Sequence, residues 1–251
     1  MLLAADDPLA VAATQAVQAG DVDALRALLT GHPDLAAAEI GDGAPGRMRR
    51  SLLHAATDWP GHFPNDVATV NLLIEHGADV NARFRGPHTE TPLHWAASTD
   101  DVDELDALLD AGADIEATGA VIAGGTPIAD ATAFGQWKVA RRLVERGART
   151  NMYESAVMGM VERIEELLQG ASPPSADEIT RAFWGACAGG QLATARLLAQ
   201  RGADTNWVSS WDGVTPLEAA RRSRDEDAAV EVSARQTDRR FGDTVAWLES
   251  L

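Results

Sequence analysis

Two acidic side chains stand where they could move protons. Asp130 and Glu154 fall at matching places on successive internal repeats, level with the place of Trp95. If the three face one concavity, the carboxylates form a pair beside an indole. Like charges held close raise one pKa, which is how acid–base pairs arise. A dry pocket lined by Trp59, Trp95, Asp130, Glu154 and Trp184 could then carry out proton transfer on an apolar substrate. Asp130 would be the acid, and the indole faces would steady positive charge. The simpler alternative, which we prefer, has Asp130 bonded to a nearby turn and Glu154 solvated. His54, Asp58 and His62 are spaced four apart, as zinc ligands on one helix face would be. Pro60 and Gly61 interrupt that helix, so no metal is expected. There is no Ser–His–Asp or Cys–His order, no phosphate-binding motif and no strand-linked glycine fingerprint. No cofactor is expected, and the chain reads as a binding protein rather than an enzyme.

The elements that would position these residues are short helices in pairs. In the stretch Glu90 to Asp114, Pro92 suits a first helical position, where its missing N–H is not needed. Ala96 and Ala97 are small enough for close helix packing. Val102, Leu105, Leu108 and Leu109 make one apolar stripe, and Gly112 ends the second helix. Such a pair cannot bury its stripe alone. Copies recur: Leu73, Leu108 and Leu143 are equivalent and evenly spaced.

The turn Thr91-Pro92-Leu93-His94 and the ending Leu108-Leu109-x-x-Gly112-Ala113-Asp114 resemble an ankyrin repeat, a unit of about 33 residues. The resemblance implies an all-α fold: an ankyrin-repeat α-solenoid of stacked helix–turn–helix units with short hairpin loops. One domain over 1–251 is expected, in about seven units at 7–40 (a cap), 48–82, 88–117, 123–151, 152–172, 176–206 and 211–251 (a cap). The extra sequence Asp58 to Asn65 reads as a loop, as does Ala44 to Arg50. The charged stretch Arg221 to Arg240 reads as an elongated helix, followed by a stripe of Val245, Leu248 and Leu251. In the family the turn histidine bonds neighbouring backbone, which assigns His54 and His94 a bracing role. Ala129, Tyr153, Trp184 and Glu218 hold that place elsewhere, which leaves bracing open there.

Composition narrows the partners. The formal charge of −17 argues against nucleic acid and against an anionic membrane surface, and fits a basic partner. Lys138 is the only lysine; the Arg- and Ala-rich composition is one found in GC-rich bacterial genomes. Cys187 is the only cysteine, so no internal disulfide forms. The N-terminus lacks signal-peptide character and no stretch is long enough to span a bilayer, so a cytoplasmic protein is expected.

The resemblance also implies where contacts fall: hairpin tips and the residues before the glycine that ends each inner helix. These are Asp58, Trp59, His88, Glu90, Ser98, Thr99, Ile122, Phe134, Val157, Met158, Trp211, Asp212 and Arg222, with Trp95 and Trp184 beside them. Tryptophan is enriched at binding hot spots. The expected function is a protein-interaction module whose acidic, aromatic-bearing concave face docks a basic or amphipathic partner, as an inhibitor or immunity-type regulator would. The alternative is the small-molecule site or enzyme built on Asp130 and Glu154.

Overall fold

Asp7 accepts a hydrogen bond from the Leu9 N–H, and this cap starts α1 (Pro8–Ala19). Gly20, at φ 63°, closes that helix in a left-handed conformation that costs a glycine little. Asp21 caps α2 (Val22–Gly31) in the same way. The chain is described here from a computed structural model, which covers residues 1–44, 47–230 and 237–251. It forms two compact units, Met1–Arg149 and Thr150–Leu251.

In the first unit α1 and α2 are followed by the pairs α3 (Leu52–Ala56) and α4 (Asp66–Glu75), α5 (Pro92–Ala97) and α6 (Val102–Asp110), and α7 (Pro127–Ala133) and α8 (Trp137–Glu145). The second holds α9 (Met152–Val157) and α10 (Val161–Gln169), then α11 (Ala176–Ala188) and α12 (Leu192–Gln200), then α13 (Pro216–Val230) and α14 (Thr237–Leu248). The fold is all-α but for a small sheet in the first unit. There β1 (Leu2–Leu3) runs parallel to β2 (Glu39–Gly41), which pairs antiparallel with β3 (Arg49–Ser51). Arg49 and Arg50 therefore leave the expected loop and join a strand. Glu39 holds this edge by accepting from Arg85 Nε at 2.6 Å and Arg49 Nη1 at 3.3 Å.

The apolar stripes bury as the spacing requires. Leu25, Leu73, Leu105, Leu108, Leu143, Ile164 and Leu198 are all solvent-inaccessible. Val245 and Leu248 are buried too, but Leu251 lies exposed beyond the end of α14 and is not part of the stripe. The 58–65 stretch is a loop, as expected. Of the charged stretch, α13 runs on to Val230 and α14 opens at Thr237; residues 231–236 lie outside the described chain.

A repeated side-chain bond ties three of the pairs to the one before them. Asn65 Nδ2 donates to the Gly20 carbonyl (2.9 Å), Gln136 Nε2 to the Ser98 carbonyl (2.9 Å) and Gln191 Nε2 to the Val157 carbonyl (3.2 Å). Each donor stands just ahead of an outer helix, and each acceptor is a carbonyl near an inner helix end. At Gly189 a side chain would meet the Val157 carbonyl oxygen at 2.3 Å, so glycine there lets α11 approach α9. No helix among the described residues is long and apolar enough to cross a membrane.

Candidate functional site

The turn histidines are spent on structure. The Thr91 N–H donates to His94 Nδ1 at 3.1 Å, which leaves the ring proton on Nε2. Nε2 in turn donates to the Gly125 carbonyl at 3.4 Å, just ahead of the next inner helix. His54 repeats this between the Ser51 N–H (3.3 Å) and the Glu90 carbonyl (3.1 Å). Burial lowers both imidazoles from 6.5 to about 4, so they stay neutral at ordinary pH. Trp184 does the outward half of this job in the second unit: its Nε1–H donates to the Val214 carbonyl at 3.1 Å. That carbonyl likewise precedes the next inner helix. The inward half is done there by glutamates. Glu154, Glu178 and Glu218 accept the backbone N–H of Asn151, Ser175 and Thr215 at 2.8 Å, forming capping boxes.

This corrects the placing of Glu154. It occupies the place of His94, not of Trp95, because Asn151 takes the cap position of Thr91. Its carboxylate is buried and accepts the Asn151 N–H, which caps α9. Ala129 holds the equivalent place in α7 and has no such group.

Asp130 does have an acidic neighbour, and it is Glu90. Asp130 is fully buried; no hydrogen bond of full geometry reaches either carboxyl oxygen among the described residues, and its nearest polar neighbours are the Glu90 carboxyl and the Ile122 N–H. Burial, then the charge of Glu90, raises its pKa from 3.8 to about 7; the Ile122 N–H, short of full hydrogen-bond geometry, opposes the rise. Glu90 Oε2 accepts the indole N–H of Trp95 at 3.1 Å. Phe84, which the sequence reading missed, packs 5.5 Å from the Trp95 ring, and His54 meets the same indole edge-on at 4.9 Å. His88 stacks on Phe84. Two carboxyls, an indole and a phenyl ring thus share one place in the first unit, beneath the exposed side chains of Val121 and Ile122.

A second cluster belongs to the second unit. The Trp211 ring lies 5.1 Å from Trp184, 5.4 Å from Trp207 and 6.4 Å from Tyr153. Trp184 is buried at its base, while Trp211 is 50% and Val208 52% exposed. Asp212 accepts from Arg222 at 2.7 Å and from Ser209, which fixes the turn that carries Trp211.

The remaining expected contacts divide. Trp59, Ile122, Phe134 and Arg222 are exposed; His88, Ser98, Met158 and Asp58 are half-buried. Asp58 pairs with Arg50. Thr99, Val157 and Trp184 are buried, so they do not offer contact surface: Thr99 bonds back to the Ala96 carbonyl and Val157 packs under Gly189. The zinc-like spacing comes apart as well. His54 is in its turn, Asp58 on Arg50, and His62 Nδ1 lies 3.0 Å from Asp101. No metal-holding group of His, Cys, Asp or Glu occurs among the described residues. Two open depressions of the first unit lie away from the acid pair. One of about 610 Å³ lies between α1 and α2, lined by Ala16 and Leu28; another of about 510 Å³ lies between α4 and α6, lined by Val67 and Asp106. Neither includes Trp59, Trp95 or Asp130.

A family model described as ankyrin repeats (3 copies) matches residues 65–154. An ankyrin repeat protein of fowlpox virus (strain NVSL) is 30% identical over 156 residues, covering 61% of this chain. The chain spans 31% of the length of that viral relative. Among solved structures, the human ASB11 ankyrin repeat domain is similar with a TM-score of 0.52 and 19% identity, over 94% of this chain and 97% of that one.

Proposed function

Since the chain is built of ankyrin repeats, we propose that it is a protein-binding module whose aromatic and acidic side chains hold a basic or amphipathic segment of its partner, as an inhibitor or regulator does. Ankyrin repeats are generally protein-interaction modules. The observation that carries it is the Trp211 cluster: an indole half in water, seated on Trp184 and Trp207 by a turn that Asp212 and Arg222 lock. A rigid, half-exposed tryptophan is what binding hot spots are made of. The formal charge of −17 fits a basic partner.

The test is affinity capture from the native host with the wild-type chain and Trp211→Ala side by side. Trp211→Ala also removes ring contacts with Trp184, Trp207 and Tyr153, so circular dichroism at the capture temperature checks that the variant is folded. It should bind the captured protein about 30-fold more weakly, the loss of about 2 kcal/mol typical of a hot spot. Recovery of the same proteins by both chains, at equal affinity, refutes the role given to Trp211.

A further inference from the structure

Asp130 and Glu90 set two carboxyls side by side, and among the described residues no cation acts on Asp130. The groups that act on Asp130 are its burial, Glu90 and the Ile122 N–H. The charged and titratable side chains around the pair are otherwise engaged. His54 and His94 are neutral and bonded to backbone carbonyls. Arg83 donates to the carbonyls of Thr89 (3.0 Å) and Thr118. His88 lies on Phe84. The 118–125 hairpin over the pair contains no charged residue. A buried carboxyl whose side-chain neighbour is another carboxyl is costly to ionise, and the pair must hold a proton or find a counter-charge.

What surrounds the pair suits an organic cation. Trp95 and Phe84 supply ring faces, Glu90 is already oriented by the Trp95 indole, and Ile122 and Phe134 offer exposed apolar surface for an aliphatic stem. We propose that Glu90 and Asp130 receive one lysine or arginine side chain of the partner, which replaces the proton held on Asp130. The inference rests on the protein-binding reading and gives its partner a chemical requirement. The cation enters past the hairpin tip. That tip closes on itself through Gly119 N–H to the Gly124 carbonyl and Ala120 N–H to the Gly125 carbonyl, both 3.0 Å. Towards the preceding repeat the hairpin is held by the Thr89 N–H on the Gly119 carbonyl (3.3 Å) and, at its two feet, by Arg83 on the Thr118 carbonyl and His94 Nε2 on the Gly125 carbonyl (3.4 Å). Displacement of the tip as one piece uncovers Asp130 and leaves its own bonds intact.

The exchange of a cation for a proton makes binding depend on pH. With half-protonation of Asp130 at about pH 7, affinity should be about tenfold tighter at pH 8 than at pH 6. The test uses the full chain labelled with ¹⁵N and the probe acetyl-Leu-Arg-Leu-amide, with the citrulline peptide as its uncharged isostere. The arginine peptide should shift the Trp95 indole and Ile122 amide signals, bind with that pH dependence, and bind at least tenfold more tightly than the citrulline peptide. Glu90→Gln and Asp130→Asn should each weaken it about tenfold and flatten the pH profile, while circular dichroism confirms that they fold. Equal binding of the two peptides, a flat profile in the wild type, no shift at Trp95, or unchanged binding by both variants overturns the proposal. Shifts confined to the Trp207 and Trp211 indoles overturn it too, yet leave the protein-binding reading standing, since that reading is decided by the Trp211→Ala capture.

Discussion

Glu104→Gln should make the protein more stable at pH 7, by about 2–3 kcal/mol, and raise the unfolding midpoint by about 5–10 °C. Glu104 sits on α6 with no solvent exposure and no hydrogen-bond partner for either oxygen among the described residues. Burial, then the charges of Asp101 and Asp66, lifts its pKa from 4.5 to about 9. The folded chain must therefore hold a proton at pH 7 that the unfolded chain gives up. A raised carboxyl pKa makes folding less favourable at every pH above the unfolded value, and the cost grows until the folded value is passed. The loss thus begins near pH 4.5 and levels off near pH 9. Glutamine keeps the shape and removes the proton requirement. Thermal unfolding of both chains from pH 4 to pH 9 is the measurement. The curves should meet at the acid end and part steadily above it; parallel curves would show that Glu104 is ionised and compensated in the fold. On the next outer helix Val139 holds the equivalent place, an ordinary apolar choice.

His94→Ala should cost about 3 kcal/mol, and His94→Gln about half as much. Alanine leaves the Thr91 N–H and the Gly125 carbonyl without their partners and opens a void where a fully buried ring stood. Glutamine can reach back to the Thr91 N–H, as Glu154, Glu178 and Glu218 do to their own cap residues, but forfeits the bond to Gly125. Urea unfolding of the three chains at pH 7.5 checks the order. Equal losses in both variants would show that the ring's packing matters and its bonds do not.

The sequence shows the repeat clearly and the site poorly, for one physical reason. Leu73, Leu108 and Leu143 bury because a helix returns to the same face at fixed intervals, so spacing alone finds them. Glu90 and Asp130 meet because one hairpin folds over the next inner helix, and no periodicity encodes that. Phe84 escapes notice for the same reason, as it lies in the segment leading to Glu90. Glu154 was misplaced by one position since its unit lacks the Thr-Pro landmark and begins on Asn151. Glu104 looks solvated in a sequence rich in acids; only packing against α4 reveals its burial. Spacing puts Trp184 at the place of the turn histidine but leaves bracing there open; the structure shows its indole N–H spent on the Val214 carbonyl and its ring buried.

That substitution has an outcome in mild acid. An indole takes up no proton, whereas an imidazole held near pKa 4 when folded becomes far more basic once released. All six histidines precede residue 150. Between pH 6.5 and 4.5 the Met1–Arg149 half should progressively lose resistance to denaturant, while the half joined through Trp184 is indifferent to the histidine effect. Hydrogen exchange across that interval would display the contrast directly, as a histidine response confined to the unit Met1–Arg149.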